Sequence, residues 1–338
     1  MAYLFDYLTF LAKAATLVLA VVFIVSGIVG AVRQAKASTS TLYVQSLNER
    51  FRDHADVLYE SMLTPAQLKR HHRERRREEK REQKSLKLGG GKARSRIFVL
   101  DFDGDLEASA VEHLREEISA VLQVAEPEDE ILVRLESEGG LVHGYGLAAS
   151  QLARIRGRGL RLTVAVDKVA ASGGYLMACV ADRIIAAPFA ILGSIGVVAQ
   201  LPNFHRLLDE HKVDFELHTA GQHKRTLTLF GENTDEARAK FREELDETHA
   251  LFKSFVTEHR PQLAIDAVAT GEHWFGTRAL ELKLVDEIKT SDDYLLGRFS
   301  EHDLYSVRYH RPKRLPERLQ SAWSRLARGA LGRWNPLR

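Results

Sequence analysis

Cysteine is all but missing from this chain. Cys179 stands alone in 338 residues, which excludes an intrachain disulfide and a multi-cysteine metal site. It lies in an apolar run and reads as a buried, inert thiol. An excess of one charge is missing too. The chain has 48 Lys and Arg against 46 Asp and Glu, a net charge of +2. So even a balance lacks the footprint of a nucleic-acid binder, and no specific nucleic acid is expected as a partner. The fourteen histidines lack a pattern: His143, His205, His211, His218, His223 and His273 are scattered, and no motif surrounds any of them. Length and composition are otherwise ordinary. At 45% hydrophobic and 28% charged, the chain can build one large domain or two modest ones around a sizeable core.

The charge that is present is unevenly placed. Residues 69–96 carry thirteen Lys or Arg against four Glu, and residues 311–338 carry eight against one. Basic ends on a balanced core point to a membrane surface or another polyanion. Residues 14–32 are 19 uncharged, mostly apolar positions between Lys13 and Arg33, long enough to cross a bilayer as a helix. A signal peptide has a shorter apolar region closed by a small-residue cleavage site. Here the apolar run continues past Ser26-Gly27 to Val32, so a retained anchor over residues 1–34 and a lipid bilayer partner are expected. Lys13 before the run, and Arg33 and Lys36 after it, slightly favour a cytoplasmic C-terminal side.

Residues 35–96 read as a charged linker, helical or disordered. Residues 41–62 have helical apolar spacing, Thr64-Pro65 looks like a helix start, and residues 67–87 are charged on every face. Gly89-Gly90-Gly91 is a hinge. The main folded part is expected over residues 97–300, with strands alternating with helices, which indicates an α/β fold with largely parallel pairing. Strands are expected at 97–102, 131–135, 160–166, 183–187 and 214–218, and helices at 108–124, 145–155, 203–211 and 235–258. The uncharged stretch 186–202 has two prolines and two glycines, so it reads as buried strands and turns and not a second span. The tail, residues 301–338, places Leu315, Leu319, Trp323, Leu326 and Ala330 at helical spacing among arginines. It is either an interfacial membrane helix or a helix docked on protein.

The chemistry centres on Val169-Ala170-Ala171-Ser172-Gly173-Gly174-Tyr175. A strand runs into a serine at a bend and a helix follows, which is how a nucleophile is exposed with backbone N–H groups beside it. Ser172 is the candidate nucleophile and Gly173 a candidate oxyanion donor. Gly139-Gly140, at the C-terminal end of an expected strand, is either a tight turn or a second place where backbone N–H groups meet a substrate carbonyl. Lys224, in Gly221-Gln222-His223-Lys224-Arg225, is either a surface lysine or a general base, and as a base it must be neutral.

Ser137-Glu138-Gly139-Gly140, Ala171-Ser172-Gly173-Gly174-Tyr175, Gly193-Ser194-Ile195-Gly196-Val197 and Gly221-Gln222-His223-Lys224, in this order and spacing, resemble the S49 peptidases, the signal peptide peptidase A family. With the segment 224–234 and the apolar N-terminus, the resemblance is strongest to a bacterial inner-membrane branch of that family. It implies a crotonase- and ClpP-like fold of repeated ββα units, preceded by a transmembrane helix. It implies a Ser/Lys dyad of Ser172 and Lys224, an oxyanion turn at Gly139 and Gly140, and hydrolysis of peptides or unfolded protein segments with no cofactor or metal. It further implies a homo-oligomer in which the dyad can be shared between subunits, and a peptidase domain on the periplasmic side. The family's turn usually reads Ser-Pro-Gly-Gly; here Glu138 takes the proline's place, so a flexible carboxylate replaces a rigid residue. That substitution and the basic linker motivate the alternative of a catalytically silent scaffold. A hydratase or isomerase acting on acyl-CoA is disfavoured, because Ser172 and Lys224 have no role there.

Overall fold

The run Ile97–Phe102 is apolar at nearly every position because both of its faces are covered. In the computed structural model, which describes residues 41–87, 94–221 and 223–310 together with Lys13 and Thr16, it lies inside strand β2 (Arg96–Gly104). Ile97 and Val99 face one side, while Phe98, Leu100 and Phe102 face the other, and all five are buried. A strand sandwiched in this way is the signature of a parallel sheet with helices on both faces.

The chain order is β1 (Thr41–Ser46), α1 (Leu47–Met62), α2 (Pro65–Lys87), β2, α3 (Val111–Val124), β3 (Glu130–Ser137), α4 (Val142–Gly157), β4 (Arg161–Val166), β5 (Val169–Ala171) and α5 (Gly173–Ala178). It continues through β6 (Arg183–Ala186), β7 (Ile191–Gly193), α6 (His205–Glu210), α7 (Asp235–His259), α8 (Ile265–Val268), β8 (His273–Phe275), α9 (Gly276–Glu281), β9 (Glu287–Ile288), α10 (Ser291–Arg298) and β10 (Asp303–His310). The main sheet has the order β1-β10-β2-β3-β4-β6-β9. The pairings from β10 through β2, β3, β4 and β6 to β9 are parallel. Helices α3 and α4 cover one face through Leu114, Ile118, Leu152 and Ile155. Leu47 of α1 and Tyr294 and Leu295 of α10 close the other.

A short second layer leaves the main sheet where the site is. The last residue of β3, Ser137, pairs with Ala170 of β5. Ala171 of β5 pairs with Gly193 of β7, and β7 pairs antiparallel with β8. This register brings the residues after β3 and after β5 side by side. The expected ββα repeat is visible as β4-β5-α5, while β2-α3 and β3-α4 are βα units whose single strand is long enough for both layers.

The folded unit is wider than residues 97–300; it spans Val44–Arg308. The linker contributes β1 and α1, and Leu47 at its start is buried in the core. Residues 303–310, assigned to the tail by the sequence, form β10 beside β2. Asn48, also buried, joins the two ends: its amide donates to Phe299 O and His302 O at 3.0 Å, and its carbonyl accepts from Leu304 N at 2.6 Å. The strand expected at 214–218 does not form. Phe215 stacks instead on Phe230, which meets Phe204, so a local aromatic cluster replaces sheet pairing. Among the described residues no helix is long and apolar enough to cross a membrane. The apolar run 14–32 (Thr16 apart) and the amphipathic part of the tail, 311–338, lie outside them.

Candidate active site

Ser172 occupies the bend between β5 and α5 with φ 50 and ψ −118, a conformation that a residue with a Cβ adopts only at a cost of roughly 1–3 kcal/mol. Both sides of the bend are pinned. The Ser172 N–H donates to Gly193 O at 2.8 Å, and Ser172 O accepts from Leu176 N at 3.0 Å. Its hydroxyl makes no capping bond to α5 and is half-buried, which leaves Oγ available to a substrate. Gly173 opens α5, so its N–H has no partner within the helix.

Gly139 lies against this bend. Its φ is 94, and a β-carbon there would sit 2.8 Å from both Ser172 Cβ and Gly173 N. Only glycine satisfies the left-handed backbone and the close approach together. The Gly139 N–H donates to Ser137 Oγ at 3.0 Å and so is already engaged. Gly140 N–H has no backbone acceptor among the described residues, and Leu141 N–H, just beyond it, is tied to Leu106 O at 2.8 Å. The structure therefore gathers Ser172, Gly139, Gly140 and Gly173 at the C-terminal ends of β3 and β5. Gly140 and Gly173 carry the free N–H groups, while Gly139 makes the turn.

A cleft of about 310 Å³ opens beside Gly139, lined in part by Asp103, Asp105, Glu136, Glu138 and Val169. Two of its carboxylates are occupied. Ser109, through its hydroxyl and N–H, holds the Asp105 carboxyl below its ordinary range. Glu136 pairs with Lys168 at 2.8 Å and raises that ammonium's pKa. Glu138, in the proline's place, is exposed.

Lys224 lies in the irregular segment between α6 and α7, is exposed, and its N–H donates to Gly221 O at 3.2 Å. Among the described residues no hydrogen bond joins Lys224 to Ser172 and no ion pair joins it to Glu138. The segment before and around it is rich in uncovered apolar side chains: Val198 is 81% exposed, Leu207 52% and Leu217 48%. Cys179 is fully buried, and burial pushes its thiol pKa up, as its apolar context suggested. Two polar residues of the site escaped the sequence reading. Ser137 appeared only as the first letter of a motif, and Tyr145 only as the first residue of an expected helix. Their hydroxyls lie 2.5 Å apart beneath the turn.

The family model "Peptidase family S49 N-terminal" matches residues 2–152, and "Peptidase family S49" matches residues 154–300. The "Probable protease SohB" of Haemophilus influenzae is 49% identical over 316 residues, covering 91% of this chain and 90% of that protein. The protein of the same name from Buchnera aphidicola subsp. Acyrthosiphon pisum is 60% identical over 229 residues, 68% of each chain. A solved structure of the 1510-N membrane-bound stomatin-specific protease covers 64% of this chain and 98% of its own at 12% identity, with a TM-score of 0.42, a level that carries no inference.

Proposed function

The chain belongs to peptidase family S49, and from that premise we propose a serine endopeptidase in which Ser172 is the nucleophile and Lys224 the general base. The observation that carries the reading is the Ser172 bend. A strained, doubly pinned backbone presents an uncapped hydroxyl next to two N–H groups that have no partner among the described residues. Ser172 Oγ attacks the peptide carbonyl carbon and its proton passes to neutral Lys224. The carbonyl π pair moves onto oxygen, which Gly140 and Gly173 N–H receive. Collapse of the tetrahedral intermediate breaks the C–N bond, and the protonated lysine returns its proton to the leaving amine. Water then attacks the acyl-serine ester by the same route, releases the acid and restores Ser172.

The uncovered apolar segment around Lys224 supports a homo-oligomer in which that segment packs on a neighbouring subunit and delivers the lysine to the next Ser172. The fold is the ClpP-like arrangement, and peptides or unfolded segments are the substrates. The run 14–32 supports a single-pass anchor in a bacterial inner membrane with the peptidase domain in the periplasm. Digestion of the C-terminus by protease added to intact spheroplasts tests that side; full protection overturns it.

A fluorophosphonate probe, whose P–F bond breaks as the serine oxygen bonds phosphorus, tests the nucleophile. Label is expected on the wild type and absent from Ser172→Ala. Persistent label in the variant removes Ser172 from the role. A second reading, a silent scaffold, is favoured by the exposure of Lys224, which makes no hydrogen bond to Ser172 among the described residues. It predicts that the wild type takes no label either.

A further inference from the structure

A buried tyrosine hydroxyl beneath the Gly139 turn has no part in the mechanism just described. Tyr145, in the first turn of α4, is 0% exposed. Its OH donates to Asp105 O at 2.8 Å. With that proton committed, the Ser137 hydroxyl donates to the Tyr145 oxygen 2.5 Å away, and its own oxygen accepts the Gly139 N–H at 3.0 Å. Each hydroxyl donates once and accepts once, so the chain from Gly139 N–H to Asp105 O is closed. Burial raises the Tyr145 pKa, which keeps it a neutral donor.

The other end of the same side chain reaches the nucleophile. A β-carbon on Gly173 would lie 2.4 Å from Tyr145 Cγ, so the ring is pressed against the backbone that follows Ser172. Gly104 makes room for the hydroxyl pair, since a β-carbon there would meet both oxygens at 2.6 Å. One residue thus touches three strand ends: the loop after β2, the turn after β3 and the bend after β5. The turn it holds, Glu138-Gly139-Gly140, has no proline and two glycines, so its stiffness has to come from elsewhere.

We propose that Tyr145, acting through Ser137, is a positioning residue that fixes the distance between Ser172 and the oxyanion turn at Gly139-Gly140. The inference rests on Ser172 being the nucleophile. Oxyanion donors act by being in place before charge develops, and a site that is loose by about 1 Å loses most of that benefit.

Tyr145→Phe keeps the ring and removes the hydroxyl; Ser137→Ala breaks the same chain at its other link with little change in volume. The full-length protein is titrated with the fluorophosphonate to count working sites, and peptide hydrolysis is measured per titrated site. Both variants are expected to titrate to completion, with kcat lowered about tenfold to a hundredfold and KM held within about twofold, as for an interaction made only in the transition state. The double variant falls no further than the worse single one, because the two hydroxyls form one chain. Wild-type kcat per titrated site in the variants overturns the proposal, and so does a rise in KM at constant kcat. If Tyr145→Phe fails to fold, Ser137→Ala decides alone. A wild type that takes no label overturns the Ser172 reading and this inference with it, whereas a labelled wild type with indifferent variants overturns this inference only.

Discussion

Gly139 is the residue on which the two halves of the site meet. Its backbone is left-handed and its missing β-carbon leaves the space that Ser172 Cβ and Gly173 N occupy. Gly139→Ala has to strain the backbone and push the turn off the bend at once. Hydrolysis is expected to fall by on the order of a hundredfold or more, while the fold survives with a lower Tm. Measuring kcat per labelled site alongside thermal unfolding checks both; a variant with wild-type kcat would show that the contact between turn and bend is incidental. The bend at Ser172 and the turn at Gly139 were legible in the sequence because glycines at strand ends mark sharp turns. Tyr145 was not, because a tyrosine on a helix face reads as an apolar filler. In the structure it is that and, at its tip, a hydrogen-bonding group as well. Lys224 is different again: its role came from the resemblance and not from its neighbours, and one chain leaves it in solvent.

At the scale of elements, the turn between α3 and β3 is clipped to the start of β2 by one carboxylate. Asp129 accepts from Arg96 N at 2.7 Å, from the Arg96 guanidinium at 2.6 Å and from Glu126 N at 2.8 Å. Burial pushes its carboxyl pKa up, but the guanidinium and the two N–H groups outweigh burial and hold it below the ordinary range. A depressed folded-state pKa gives stability that is fully present above the unfolded value of about 3.9 and is lost as pH falls through the folded value. Asp129→Asn is therefore expected to cost about 2 kcal/mol at neutral pH. The gap in Tm between variant and wild type should close below about pH 4. A gap that stays constant down to pH 2 would mean that the charge is not what matters. The same scale shows what sequence patterning reaches. Strands β2, β3 and β4 were plain because both faces are apolar. β10 was hidden because DLYSVRYH has neither a continuous apolar run nor a clean alternation. The expected strand at 214–218, DFELH, does alternate, yet it forms no strand.

For the whole molecule, the question is where the second half of the proposed dyad comes from. A mixture of Ser172→Ala and Lys224→Ala subunits separates the possibilities. If the lysine serves a neighbouring serine, each variant alone is inactive and co-assembled subunits regain activity, since some interfaces then pair an intact Ser172 with an intact Lys224. No recovery in verified mixed assemblies places the dyad within one chain. The sequence made the α/β class and the family resemblance visible, but not the boundary of the folded unit. The linker and the tail both look too polar for a core, yet they supply β1, α1 and β10 and bury Leu47, Asn48, Leu304 and Val307.

That asparagine sets the order in which the protein can be completed as it is made. Asn48 emerges from the ribosome early, yet its three partners are Phe299, His302 and Leu304. β10, which those bonds hold, fills the place between β1 and β2. Until it arrives, one long margin of β2 has its backbone donors and acceptors open, the kind of margin that recruits strands from other chains. A nascent chain of this protein stays in that state from the completion of β2 at Gly104 until β10 begins at Asp303, more than half of its synthesis, so shielding of the unfinished sheet counts alongside the stability of the finished one.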